Sequence, residues 1–126
     1  MKTILVAEDE YLIALDIEHA LQKAGYLVRF ANSCDRALDI AAAERVDAAI
    51  VDVVLRDRDC DELVAHLSRR HIPFAYYSGL ADAPVMKRWP ARHLNKPSDA
   101  SQLVAAISDL ASPTGIGDAR NLATTR

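Results

Sequence analysis

The sequence has only two cysteines among its 126 residues, and this scarcity limits the classes of protein it can represent. Two cysteines are too few for the disulfide framework of a small secreted domain. Cys34 and Cys60 have neither CxxC spacing nor a histidine at metal-ligand spacing, so we expect both to be reduced residues of the core or its boundary. No apolar run approaches the roughly 20 residues of a membrane span, and no signal-peptide pattern opens the chain. These absences predict a cytoplasmic protein without membrane contacts.

Positive charge is also in short supply. The chain has 15 Lys and Arg against 18 Asp and Glu, a formal net charge of −3. Domains that bind nucleic acid are usually basic, so we expect no direct contact with nucleic acid. The length suits one domain, and a hydrophobic fraction of 51% is enough for a sizeable core.

Apolar runs typical of strands alternate with apolar residues at helical spacing along the chain. The runs predict strands at residues 3–7, 26–31, 48–53, 73–77 and 92–95. Gly25 is a predicted helix stop, whereas Ser33 and Ser98 are predicted helix caps. Only five residues separate Pro84 from Pro90, so the fourth helix has room for one or two turns at most. The alternation predicts an α/β fold with a doubly wound parallel sheet.

Polar residues follow four of these strands at the point where each ends. Glu8 and Asp9 follow the first, Asp52 lies at the end of the third, Ser78 follows the fourth and Lys96 the fifth. In a doubly wound sheet all of these positions lie at one edge. Three carboxylates this close repel one another unless a cation offsets them, and an oxygen-only set suits Mg²⁺.

The residue types at this edge fit phosphoryl transfer. Asp52 could attack phosphorus and form an aspartyl phosphate. Lys96 could pair with a phosphoryl oxygen, and Ser78 could donate a hydrogen bond to another. Each residue alone could be only a helix cap or a turn residue, but five matching types in order favour the functional interpretation.

The motifs "VAEDE", "AAIVDVVL", "YYSG" and "LNKP" together resemble those of response-regulator receiver domains, over about residues 2–111. The resemblance implies a (βα)5 fold whose five-stranded sheet has the strand order 2-1-3-4-5. It also implies that the protein is phosphorylated on Asp52. It implies direct Mg²⁺ ligands at Asp9, Asp52 and the backbone carbonyl of Val54, with Glu8 acting through water.

The same resemblance assigns the remaining site residues. Lys96 is then the family's lysine, Ser78 its switch hydroxyl and His93 occupies its aromatic switch position. The family's Lys-Pro peptide is commonly cis, which predicts a cis Lys96-Pro97 bond.

The chain departs from the family pattern in three places. The loop after Asp52, "VVLRDRDCDEL", lacks the usual proline and glycine, and His93 replaces an aromatic residue. The interval from Ser78 to Lys96 is about four residues shorter than is typical, and "PFAYYSGL" resembles a subgroup whose fourth helix is shortened or missing.

These features predict a receiver domain at residues 1–111, a flexible tail at 112–126 and no second domain, although a longer parent chain stays open. A histidine kinase or a histidine phosphotransfer protein would phosphorylate it, and output would run through an unknown downstream protein. It would be no enzyme beyond self-catalysed phosphorylation and dephosphorylation. One alternative is a degenerate receiver that acts as a phosphate-independent interaction module. A haloacid-dehalogenase-like phosphohydrolase usually needs a second Asp, where this chain has Val54. A flavodoxin-like flavin binder needs a phosphate loop after the first strand, where this chain has acidic residues.

Overall fold

A five-stranded parallel sheet forms the centre of the computed structural model, which describes residues 1–55, 58–79 and 83–112. Its strands are β1 (Thr3–Ala7), β2 (Leu27–Ala31), β3 (Ala48–Val51), β6 (Phe74–Ser78) and β7 (Arg92–Asn95). Their order is β2-β1-β3-β6-β7, and a separate antiparallel pair, β4 (Val54–Leu55) and β5 (Arg58–Asp59), lies outside the sheet. Because β6 and β7 are the fourth and fifth strands of this sheet along the chain, the predicted order 2-1-3-4-5 is confirmed.

Helices cover both faces of this sheet and divide the core into two apolar clusters. They are α1 (Tyr11–Lys23), α2 (Cys34–Ala43), α3 (Asp61–Arg69), α4 (Pro84–Arg88) and α5 (Ala100–Ala111). One cluster joins α2 and α3 to the sheet, and the other joins α1 and α5 to its opposite face. The central strand β3 contributes to both, because Val51 lies in the first cluster and Ile50 in the second. Strands buried on both faces explain the nearly unbroken apolar run in this part of the sequence.

The helix caps show one correct prediction and one error. Ser33 caps α2, because its hydroxyl accepts a hydrogen bond from the backbone N–H of Arg36 at 3.1 Å. The predicted cap at Ser98 is wrong, since Asp99 caps α5 instead. The Asp99 carboxylate accepts a hydrogen bond from the backbone N–H of Gln102. In return, the side-chain oxygen of Gln102 accepts a hydrogen bond from the backbone N–H of Asp99. This reciprocal capping box satisfies two backbone donors, which one serine hydroxyl could not do.

The fourth helix is short, as its bracketing prolines predicted. It spans the five residues Pro84–Arg88. Met86 and Trp89 pack against the first apolar cluster, and the buried Tyr76 hydroxyl donates to the backbone carbonyl of Trp89 at 2.7 Å. Residues 80–82, which belong to the shortened interval between Ser78 and Lys96, lie outside the described residues. The Lys96-Pro97 peptide is cis, as predicted.

The cysteines contradict the prediction that both are reduced. Cys34 and Cys60 form a disulfide between the first residue of α2 and the residue before α3, with their Cα atoms 5.3 Å apart. Their sequence separation of 26 concealed the pairing, which arises because α2 and α3 pack side by side on one face.

Two further sequence expectations concern the ends of the fold and its relation to membranes. The predicted tail lies, from residue 113 onward, outside the described part of the chain. In the part that the structure describes, none of the helices combines the length and the apolar character needed to cross a membrane.

Candidate metal and phosphoryl-transfer site

Backbone pairing places the first two acidic positions side by side. In the ladder between β1 and β3, Ala7 is paired with Val51, so the residues that follow them lie at the same edge. The ladder continues past both strands, since the backbone N–H of Asp52 donates to the carbonyl of Ala7 at 3.0 Å. The N–H of Glu8 donates to the carbonyl of Ala31 on the other neighbouring strand, also at 3.0 Å. The site is thus fixed to the sheet rather than carried on a mobile loop.

Three carboxylates converge at this edge. Glu8, Asp9 and Asp52 each offer one oxygen, and these oxygens all lie within 4.8 Å of one another. Glu8 and Asp52 are buried, whereas Asp9 is exposed. Such an all-oxygen set suits a hard divalent cation, and the exposed side leaves room for the waters that Mg²⁺ usually retains. The residues therefore fit the metal that the sequence predicted.

The Lys96 ammonium lies among these acids. Its Nζ is 2.8 Å from Oδ2 of Asp52, 2.9 Å from Oε1 of Glu8 and 3.7 Å from Oε1 of Glu10. Burial alone would lower the pKa of Lys96, but the hydrogen bonds to Asp52 and Glu8 outweigh it and raise that pKa. The lysine is therefore fully charged at neutral pH.

Glu8 is the most buried carboxylate of the site, with 2% of its side chain exposed. Burial raises the pKa of Glu8 above its usual range, although the hydrogen bonds from Lys96 and from the backbone N–H of Glu10 act in the opposite direction. The negative charge of Asp52 raises it further. The Lys96 ammonium is thus shared by three carboxylates, those of Glu8, Glu10 and Asp52.

Ser78 and His93 lie on the far side of the same edge. Ser78 is the buried last residue of β6, and its backbone carbonyl accepts from the N–H of Lys96 at 3.1 Å. Nε2 of His93 lies 3.1 Å from the same carbonyl oxygen. The His93 ring is thus half-buried and turned towards β6. Its predicted switch role stays a prediction.

Sequence reasoning missed two neighbours of Lys96. The predicted role of Val54 as a Mg²⁺ ligand stays a prediction. The Lys96 ammonium lies 5.3 Å from the centre of the Tyr77 ring, and Glu10 joins the acids that surround it. The three-acid run at residues 8–10 was the available signal for Glu10. Val54, predicted to offer its backbone carbonyl, begins β4 two residues past Asp52.

Comparison with known proteins identifies the family. The model for the response regulator receiver domain matches residues 4–108. Sensor kinase CckA of Brucella abortus is 32% identical over 116 residues, which cover 86% of this chain and 12% of CckA. Transcriptional regulatory protein PdtaR of Mycobacterium tuberculosis is 29% identical over 112 residues, covering 84% of this chain and 55% of PdtaR. The chain thus spans only part of the length of both relatives.

Solved structures agree with this assignment. Chemotaxis protein CheY4 of Vibrio cholerae is 26% identical, with a TM-score of 0.76 over 87% of this chain and 98% of that one. The family match runs from within β1 to within α5 and includes every residue of the carboxylate and lysine cluster. The chain belongs to the response regulator receiver domain family of two-component signalling.

Proposed function

We propose that this receiver domain accepts a phosphoryl group on Asp52 in a Mg²⁺-dependent reaction and signals by protein–protein contact. The observation that carries the proposal is the convergence of three carboxylate oxygens within 4.8 Å, with the Lys96 ammonium 2.8 Å from Asp52. A receiver domain is a signalling domain rather than an enzyme in the usual sense.

The proposed metal ligands come from both central strands. Asp9 and Asp52 would bind Mg²⁺ directly, the backbone carbonyl of Val54 would be a third protein ligand, and Glu8 would act through water. The bound ion would supply positive charge for the phosphoryl oxygens, where such transfers gain most of their stabilisation. It would also relieve the repulsion among the carboxylates, which one lysine offsets only in part.

Asp52 is the nucleophile in this proposal. A carboxylate oxygen of Asp52 forms a bond to phosphorus as the bond from phosphorus to the donor's histidine nitrogen breaks, and the imidazole leaves with the electron pair. The Lys96 ammonium already lies beside that carboxylate and can transfer its hydrogen bond to a phosphoryl oxygen. Ser78 would donate its hydroxyl to another, and His93 would follow the movement of Ser78.

The partners follow from this chemistry. The donor would be a histidine kinase or a histidine phosphotransfer protein, which resemblance to the receiver part of CckA supports. A downstream protein would bind the phosphorylated form. We place the protein in the cytoplasm, without direct contact with nucleic acid or membrane.

Acetyl phosphate tests the proposal directly. The protein is incubated with acetyl phosphate and MgCl₂, and its intact mass is recorded. We expect one phosphoryl adduct in the wild type, none in Asp52→Asn and an unchanged adduct in Asp47→Asn, a matched control whose carboxylate accepts from the Thr3 N–H. An unlabelled but folded wild type would favour the phosphate-independent receiver, and steady release of phosphate would favour a phosphohydrolase.

A further inference from the structure

The disulfide between Cys34 and Cys60 joins the starts of two helices that follow β2 and β3, the strands on either side of β1. Cys34 is the first residue of α2, and Cys60 directly precedes α3. Both residues are buried, with exposed fractions of 5% and 1%. The backbone of Cys60 also takes part in α3, because its carbonyl accepts a hydrogen bond from the N–H of Val64 in the first turn of that helix.

The topology places this cross-link across the carboxyl end of β1. Strand β1 lies between β2 and β3 in the sheet. Cys34 follows the end of β2 by three residues, and Cys60 follows Asp52 by eight. The cross-link therefore spans β1, the strand that Glu8 and Asp9 follow. The segment that it encloses contains Asp52 and the whole connection from β3 to α3.

The fold does not depend on a covalent cross-link for its core. Apolar clusters cover both faces of the sheet, and a chain of 126 residues can bury enough surface without one. In a reducing compartment, a disulfide in such a protein is usually transient and responds to the redox state. Both cysteines belong to the same buried apolar cluster as Ala7 and Val53, which adjoin Glu8 and Asp52 in the chain, and this indicates what such a response would affect.

We propose that Cys34 and Cys60 are a site of reversible thiol oxidation that sets how firmly the β3–α3 connection holds the Mg²⁺ and phosphorylation site. This inference rests on the proposed function of that site. The co-reactant is a small disulfide such as glutathione disulfide. One cysteine thiolate attacks it, forming a mixed disulfide and releasing one glutathione thiol. The second cysteine thiolate then displaces the other glutathione, so two protein thiols become one disulfide and one glutathione disulfide becomes two thiols.

Oxidation restricts the connection that follows Asp52. In the oxidised form, the end of this connection is tied to α2, so the backbone at Val54 has fewer conformations to lose when a metal binds. In the reduced form, the two thiols need more room than the bonded pair in a closely packed site, and the start of α3 is released. Because pre-organisation lowers the cost of binding, we expect oxidised protein to bind Mg²⁺ at least about threefold more tightly.

The first test measures whether the pair changes state in the folded protein. The full chain is equilibrated in glutathione buffers of graded reduced-to-oxidised ratio, free thiols are alkylated, and the intact mass is recorded. We expect both thiols to appear together as the ratio rises, while circular dichroism remains that of the folded protein. A disulfide that survives every reducing buffer, or thiols that never pair, would overturn the proposal.

The second test measures Mg²⁺ affinity in both redox states by titration with MgCl₂, followed by the amide resonances of residues 8–10. The control is the double variant Cys34→Ser/Cys60→Ser, whose affinity should match reduced wild type in both buffers. Serine also suits the position before a helix, and the Cys60 side chain that it replaces makes no capping hydrogen bond. If the variant is unfolded, wild type reduced and then reoxidised supplies the same comparison. Equal affinity in the two states would refute the inference.

Acetyl phosphate labelling separates this inference from the proposed function. If neither redox form is labelled but Mg²⁺ affinity still follows the redox state, the phosphoacceptor proposal fails and the redox site stands. If both forms are labelled at equal rates and bind Mg²⁺ equally, the phosphoacceptor proposal stands and the redox site fails.

Discussion

Nζ of Lys96 lies 2.8 Å from Oδ2 of Asp52, so the proposed nucleophile is already paired with a cation before any phosphoryl group is present. The same ammonium lies 2.9 Å from the buried Glu8 carboxylate. Both acids thus share the Lys96 ammonium as an ion-pair partner. Loss of one member of a buried ion cluster is costly because it leaves an uncompensated charge.

Replacing Lys96 should therefore destabilise the metal-free protein strongly. For Lys96→Met we expect a loss of about 3 kcal/mol in the free energy of unfolding at pH 7, measured by urea denaturation. Millimolar Mg²⁺ should recover part of this loss, because the ion replaces the missing positive charge. The control Lys87→Met, at an exposed position of α4, should stay within about 0.5 kcal/mol of wild type. Equal effects of the two substitutions would contradict the pairing.

Mg²⁺ should raise the melting temperature of the wild type by mass action, and the increase should depend on Asp9. In Asp9→Asn the increase should disappear. The metal-free variant should be more stable than metal-free wild type, by up to about 1 kcal/mol, since one repelling charge is gone. Asp16→Asn, an exposed substitution on α1, serves as the matched control and should keep the full increase. A Mg²⁺ effect that survives in Asp9→Asn would place the metal elsewhere.

The raised pKa of Glu8 predicts a specific pH dependence of stability. Its value in the unfolded chain is about 4.5, and burial raises the folded-state pKa above this. The folded protein then binds more protons than the unfolded one, so stability contributed at Glu8 falls as pH rises from 4.5 through the folded-state pKa. Glu8→Gln should remove this component. Metal-free Glu8→Gln should thus gain stability over wild type as pH rises towards 7, as measured by thermal denaturation at each pH. A difference that instead grows towards low pH would contradict this sign.

The buried Tyr76 hydroxyl should control the order of the fourth helix. It donates to the backbone carbonyl of Trp89, so Tyr76→Phe leaves that carbonyl without its donor and should cost about 1 kcal/mol. Amides of residues 85–89 should exchange faster with solvent in this variant. Tyr77→Phe makes the same chemical change on the opposite face, where the hydroxyl contacts Ser98, and should leave those amides unaffected. Equal exchange rates in both variants would show that the hydroxyl does not hold the helix.

The edge of the sheet was predictable because its information is local. Each predicted site residue lies at or just after the end of a predicted strand, and the strand alternation alone brings the carboxyl ends together. Glu8, Asp9, Asp52 and Lys96 could therefore be selected without knowing any distance. The short fourth helix was predictable for the same reason, since two prolines mark its limits within the sequence.

The wrong sequence predictions are of two kinds. Some concern contacts between segments that are distant in sequence, and one concerns the choice between two neighbouring residues that could both cap a helix. The disulfide depends on how α2 and α3 pack, which no spacing between Cys34 and Cys60 encodes. The choice of Asp99 over Ser98 depends on the reach of the Gln102 side chain. Contact of Lys96 with the Tyr77 ring depends on the direction of one side chain at the end of a strand.

The pairing of Ala7 with Val51 has a consequence for how such a domain can tolerate insertions and deletions. Side chains alternate between faces along a strand, so one residue added within β1 or β3 would reverse the facing of every later position in that strand. Glu8 and Asp52 would then no longer meet, even if the apolar content were unchanged. Length variation should therefore accumulate at the opposite edge, where helices return to strands, and engineered insertions should be placed there.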